Sequence, residues 1–274
     1  LSEIYPTVLG AKDASGRVVA GPQPKAKGAK AAELKPVFVP PYLEGEQVTL
    51  FGPPDSGKMC INAMNSLHHR LPGEPEIVAK LVEESGQVPR WGADNEDSQT
   101  PIMASFLKSC ENLIGCFEGT LAVDDKARGK SYRLAKEGLA QPIKRIPGLA
   151  LPDGTHLYRG NPLPLHLFDF VLHLCHNWRR PEALVFYVPK LENEEEAAYL
   201  KALITKTEAR IQALHPDYVL GTVKLFIVFE SPRSIFRIRE IADTLHPHFV
   251  GGSLGWHDFL GSTARLFKED PNYR

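Results

Sequence analysis

From Gln47 onward, short apolar runs alternate with stretches of helical period, and most of the apolar runs stop on charged residues. No other feature constrains the fold as strongly. Strand-like runs lie at Val48–Phe51, Met59–Met64, Val88–Asp94, Pro142–Arg145, Ala183–Val188, Val223–Phe229 and Phe249–Leu254. Apolar spacing predicts helices over Glu76–Glu84, Ile102–Phe117, Leu165–Trp178, Glu194–Leu214 and Ser231–Leu245. The fourth helix carries its own boundaries: Asn193 as cap, acids in the first turn, and His215-Pro216 as the stop. Strands separated by helices imply βαβ units and a mainly parallel sheet. Residues 10–35, rich in Gly, Ala, Lys and Pro without an apolar period, read as an extended arm.

In such folds chemistry collects at the carboxyl ends of the strands, where loops vary over a rigid sheet. Here Trp91-Gly92-Ala93 runs into Asp94, Glu96 and Asp97, and Pro142-Ile143 stops at Lys144-Arg145. Phe186-Tyr187-Val188 leads to Lys190 and Glu192, Phe226–Phe229 ends at Glu230, and Gly251-Gly252 leads to Trp256-His257-Asp258. Carboxylates and a cation or two on one rim suit a hard dication and an anionic substrate. Oxygen donors without a His or Cys set favour Mg²⁺ over Zn²⁺.

Other classes are disfavoured. A net charge of -1 gives no basic surface for nucleic acid or anionic membrane, and no apolar run is long enough to span a bilayer. The 4 cysteines, Cys60, Cys110, Cys116 and Cys175, show no paired spacing, which predicts free thiols in a reducing compartment. Gly52-Pro53-Pro54-Asp55-Ser56-Gly57-Lys58 fits a phosphate-binding loop pattern, but Met59 stands where a metal-binding hydroxyl is needed. Pro53-Pro54 also removes two N–H donors, so the segment reads as a turn between two short strands. His173 and His176 sit one turn apart on an apolar helix and read as packing residues, and Cys110 and Cys116 as buried thiols.

Several segments in series carry a resemblance. VTLFGPPDSGKMCINAMNS, GADNEDSQTP, GKSYRL, HLFDFVLHLCHN, FYVPKLEN, GTVKLFIVFES and GWHDFL follow, in order, motifs of the malate synthase family. The chain resembles the acyltransferase barrel of that family from about Lys35 to its C-terminus. The resemblance implies an α/β fold of the TIM-type β/α barrel kind, with a 1–45 arm, a 46–274 barrel and a helix-bearing insertion at 67–90. It implies condensation of acetyl-CoA with glyoxylate, giving malate and CoA, with Mg²⁺ as cofactor. Carried over by position, Glu230 and Asp258 are the Mg²⁺ ligands, Arg145 faces the glyoxylate and the developing enolate, and Asp94 and Glu96 hold metal-bound water. The backbone at Gly255, Trp256 and His257 receives the substrate carboxylate. The implied compartments are cytoplasm, peroxisome or glyoxysome, or mitochondrion.

The chain departs from the pattern in places. Where the family has Arg-Pro-Arg-Gly-Trp-His, this chain has Arg145-Ile146-Pro147-Gly148-Leu149-Ala150. About six of the eight strands of such a barrel fall within these residues, and the family's base, an aspartate of a C-terminal helical domain, has no counterpart here. The expectation is a fragment of a longer protein, or a sheet closed by another chain. Two alternatives stay open: an inactive structural subunit of a larger assembly, or a lyase of the same superfamily acting on a CoA thioester or 2-oxo acid.

Overall fold

The computed structural model describes residues 11–12, 18–20, 35–44, 48–85, 89–99 and 102–270. Most of the expected arm lies outside them. Within it, β1 (Ala11–Lys12) pairs antiparallel with β2 (Val18–Ala20). The chain divides into two compact units, one of residues 39–147 and 151–187, the other of residues 1–38, 148–150 and 188–274.

In the first unit β3 (Val48–Gly52) is followed by α1 (Gly57–Met64), α2 (Glu76–Ser85), β4 (Arg90–Asp94) and α3 (Met103–Glu118). Next come a hairpin of β5 (Ala122–Asp125) and β6 (Lys130–Arg133), then β7 (Gln141–Arg145). A second hairpin of β8 (Pro152–Tyr158) and β9 (Asn161–Pro164), α4 (Leu165–Asn177) and β10 (Val185–Val188) complete it. β3 pairs with β4, β4 with β7 and β7 with β10, all parallel. The register sets Asp94 beside Arg145 and Arg145 beside Tyr187, so the charged strand ends finish level.

Every residue of β4 is buried, as expected of a strand covered on both faces. Trp91 packs in a cluster with Cys60, Met64, Leu113 and Cys116, and its indole N–H donates to Met64 Sδ at 3.4 Å. Truncating so buried a ring to alanine costs about 3–5 kcal/mol. Gly92 is required beside it, because a Cβ there would come within 2.0 Å of the Phe51 ring. Strand alternation sends consecutive residues of β7 to opposite faces. Lys144 forms a fully buried ion pair with Asp169 of α4 at 2.8 Å, and Arg145 joins the strand-end carboxylates. Burial pushes the Asp169 carboxyl up, against the pull of Lys144.

Two expectations fail in this unit. Met59–Met64 is helix, not strand: Ser56 caps α1 by accepting from the Met59 N–H at 3.4 Å, and the apolar residues Cys60, Ile61, Ala63 and Met64 form its buried face. The Gly52–Lys58 turn therefore joins strand to helix, with Lys58 tied to Asp125 at 3.2 Å. The two hairpins were not foreseen. Of the histidine pair, His173 packs as expected, one ring nitrogen 2.9 Å from the Ala183 carbonyl oxygen, with burial pushing it down to about 3, whereas His176 is exposed. All four thiols are free, with Cys175 exposed and the other three buried.

In the second unit α5 (Glu194–Leu214) begins at Asn193, whose side chain accepts from the Glu196 N–H at 2.9 Å. β11 (Lys224–Phe229), α6 (Pro232–Phe236), α7 (Ile238–Leu245), β12 (Phe249–Leu254) and α8 (Trp256–Phe267) follow. The predicted Ser231–Leu245 helix is broken at Arg237, which leaves helical geometry and pairs with Glu194 and Glu240. β11 and β12 pair parallel, setting Phe229 beside Leu254 and bringing Glu230 and Gly255 to the same end. Glu208 of α5, 2% exposed, accepts from Tyr218 Oη (2.8 Å), Gly221 N (2.9 Å) and Val223 N (3.1 Å), fixing the loop that feeds β11.

β3, β4, β7, β10, β11 and β12 are the six parallel-paired strands expected of the β/α barrel, and among the described residues β3 pairs only with β4 and β12 only with β11. No described helix is long and apolar enough to cross a membrane.

Candidate functional site

At the carboxyl end of the first unit's strands, the Arg145 guanidinium faces three carboxylates. Nη1 donates to Asp94 Oδ2 at 3.4 Å, and Nη2 to Glu96 Oε2 at 2.6 Å and Asp97 Oδ2 at 2.8 Å. The local chain explains the convergence. Asp94 Oδ1 accepts from the Glu96 N–H at 3.0 Å, and the Asn95 N–H donates to the Arg145 carbonyl at 3.2 Å, folding the Asp-Asn-Glu-Asp turn back over the end of β7. Burial alone would lower the arginine pKa, but Asp94, Glu96 and Asp97 outweigh it and the pKa rises. Arg145 is therefore a fixed cation. Its Nε is fully buried and has no hydrogen-bond partner among the described residues.

In the second unit, Glu230 follows β11 and is 6% exposed. Its Oε1 accepts from the Lys190 backbone N–H at 2.7 Å. The Lys190 ammonium lies 3.3 Å from Asp258 Oδ2 in the first turn of α8. Lys190 thus touches both acids. Its φ of 55° is the left-handed region a non-glycine residue enters at a cost of about 1–3 kcal/mol, and such strain clusters at working sites. Gly255, which precedes α8, leaves room for Glu230: a Cβ there would stand 2.4 Å from both the Glu230 Cβ and its Oε2. The side chains of Trp256 and His257 are exposed and their backbone opens α8, where N–H groups lack helical acceptors.

A hard dication fits this donor set. The two carboxylates offer only oxygen donors, and a cationic ammonium already sits against one of them. Among the described residues no group of three or more His, Cys, Asp or Glu gathers around a common point. Lys190 and Asp97 stand among the charged strand ends seen in the sequence, but the resemblance assigns neither a role. Asp97 stands in a visible run of acids after β4, whereas nothing in a single sequence marks a lysine as left-handed.

The profile of the malate synthase TIM barrel domain matches residues 142–274. Malate synthase A of Escherichia coli (strain K12) is 30% identical over 245 residues, covering 88% of this chain and 41% of that protein. The glyoxysomal malate synthase of Ricinus communis is 29% identical over 275 residues, covering 95% of this chain and 43% of that protein. A solved structure of Haloferax volcanii malate synthase, a lead(II) complex, aligns with TM-score 0.47 at 15% identity over 79% of this chain and 52% of that one. The chain is similar to malate synthases over most of its length and spans less than half the length of these two curated relatives.

Proposed function

We propose, on that similarity, that the chain takes part in a Mg²⁺-dependent condensation of acetyl-CoA with glyoxylate to give malate and CoA. Glu230 and Asp258 are the residues that would hold the ion. Bound there, Mg²⁺ would supply Lewis-acid polarisation of the 2-oxo acid's carbonyl. The observation that carries the reading is the oxygen-only pair of Glu230 and Asp258 on either side of Lys190.

Each remaining residue has a role its chemistry suits. The Arg145 guanidinium, held by Asp94, Glu96 and Asp97, would face the glyoxylate and stabilise the oxygen that gains charge as the acetyl methyl loses a proton. The enolate carbon attacks the glyoxylate aldehyde, and hydrolysis of the thioester releases CoA and malate. The Gly255 N–H donates to the Phe229 carbonyl at 3.0 Å, while the backbone of Trp256 and His257, in the first turn of α8, is suited to an anionic carboxylate because first-turn N–H groups lack helical acceptors and the helix dipole is favourable. Free thiols suit a reducing compartment.

The altered Arg145–Ala150 segment favours a second reading, in which a related 2-oxo acid replaces glyoxylate. One assay separates them: incubate the protein with acetyl-CoA, Mg²⁺ and glyoxylate or another 2-oxo acid, and follow free CoA thiol. Thiol release with glyoxylate that Asp258→Asn abolishes supports the first reading, and release only with another 2-oxo acid supports the second. No release with any 2-oxo acid removes both and leaves a structural subunit.

A further inference from the structure

Strand β8 of the first unit carries a side-chain cluster that none of these roles uses. His156 Nδ1 lies 2.5 Å from Asp153 Oδ2, and Thr155 donates to Asp153 Oδ1 through its N–H at 2.9 Å and its hydroxyl at 2.6 Å. The Asp153 side chain is 1% exposed, whereas that of His156 is 46% exposed. Burial would raise the Asp153 carboxyl, but the hydrogen bonds from Thr155 and His156 outweigh it and hold it below its ordinary value. A carboxylate only accepts, so the ring nitrogen facing it carries the proton and Nε2 keeps its lone pair. Among the described residues Nε2 has no hydrogen-bond partner. The Phe168 ring, stacked on the imidazole with centroids 4.8 Å apart at 21°, fixes its plane.

A cavity of about 200 Å³ adjoins this cluster. Asp153 and Thr155 line it, and Phe168 packs on Phe106 of its wall with centroids 6.1 Å apart, so the imidazole stands at its rim. Ile102, Met103, Phe106, Leu151 and Leu165 make that wall apolar, while Glu96 and Asp153 on the same lining disfavour an anionic chain. The Thr155 hydroxyl is engaged by Asp153, so the proton acceptor at Nε2 serves water rather than a side-chain nucleophile. We propose that His156 is the general base of a second site, which hydrolyses activated esters bearing a neutral short acyl chain, the chain lying in the cavity. Nε2 takes a proton from water as the water oxygen bonds to the acyl carbon. The tetrahedral adduct then collapses, the carbon–oxygen bond to the leaving group breaks, and the imidazolium returns the proton to the departing oxygen. Asp153 is a positioning residue that fixes the tautomer and stabilises the imidazolium. A dry cavity of about 150 Å³ accepts benzene, so this one admits an acyl chain of about six carbons.

The test follows p-nitrophenolate release from p-nitrophenyl hexanoate and p-nitrophenyl acetate, with a chelator present and no 2-oxo acid, so that it stands or falls apart from the Mg²⁺ reading. The expected result is saturable release about a hundredfold faster than with equimolar N-acetylhistidine, and a KM about tenfold or more lower for the hexanoate, whose four extra methylenes leave water. His156→Gln, at an exposed position, should cut kcat by about a hundredfold, whereas His176→Gln, at another exposed histidine of the unit, should leave it unchanged. Asp153→Asn should lower kcat by about tenfold or more with KM unchanged, and Leu151→Trp, on the cavity wall, should raise KM for the hexanoate alone. Release no faster than with N-acetylhistidine, full activity in His156→Gln, or one KM for both esters would each overturn the proposal.

Discussion

Gly255→Ala is the smallest change that should disturb the proposed metal site. The backbone at Gly255 has φ -86° and ψ 93°, which alanine adopts freely, so the effect comes from space alone. The new Cβ would stand 2.4 Å from the Glu230 Cβ, 2.4 Å from its Oε2 and 2.9 Å from Val228 Cγ1. Carbon atoms in good contact lie about 3.5–4.0 Å apart, so Glu230 must retreat by roughly 1 Å or more. A Cβ–Cβ collision cannot be relieved by turning a side-chain tip, so the end of β11 or the start of α8 has to move. Overpacking of this kind costs about 1–3 kcal/mol, and a displaced oxygen should weaken a Mg²⁺ site that needs near-ideal geometry by about tenfold or more. Urea unfolding measures the first effect and calorimetric Mg²⁺ titration the second. Gly261→Ala on the same helix is the control, since nothing lies within 4 Å of its Cβ position and helix propensity favours alanine by about 1 kcal/mol. The reasoning is refuted if Gly255→Ala matches the parent in both stability and Mg²⁺ affinity while Gly261→Ala behaves as stated.

Two further outcomes follow from buried polar groups. Glu208→Leu removes the acceptor for Tyr218 Oη, Gly221 N and Val223 N, so unfolding free energy should fall by about 3–5 kcal/mol, with Glu208→Gln recovering part of it; a loss under about 1 kcal/mol in the leucine variant would contradict the assigned role. His173, held down to about 3 by burial against an unfolded value near 6.5, stays neutral in the folded protein while the unfolded chain takes up a proton. Its contribution is therefore complete above pH 6.5 and is lost as pH falls toward 3, with a slope of up to about 1.4 kcal/mol per pH unit. His173→Leu should flatten the acid limb by that amount in pH-dependent urea melts, and an unchanged slope would count against a buried neutral histidine.

Much of the architecture was legible because period and burial agree. β4, β7 and β11 are short buried runs ending in charge, and α5 spans the residues its cap and terminal proline imply. Met59–Met64 was misread because a short apolar run fits either period. Only the cap at Ser56 and the buried set at 60, 61, 63 and 64 decide for helix. The hairpin turn at Arg159-Gly160, both at positive φ, was visible as a Gly-containing turn between strand-compatible segments and was passed over. The break at Arg237 follows from pairing with Glu194 on another helix, a tertiary contact that helical spacing does not encode. Of the candidate site, the sequence shows only which charged residues stand at strand ends. Charged residues at strand ends mark Arg145, Asp94, Glu96 and Glu230, but the Lys190 contacts to Glu230 and Asp258 arise from its backbone conformation and from strands far apart in sequence.

Mg²⁺ titration by calorimetry into the parent protein, Asp258→Asn and Lys190→Met tests the proposed centre most directly. Loss of an anionic oxygen should weaken binding by about tenfold or more, and loss of the competing ammonium should strengthen it several-fold, roughly in line with one charge at that distance. Saturable binding that neither substitution alters would show that the ion does not sit at Asp258 beside Lys190.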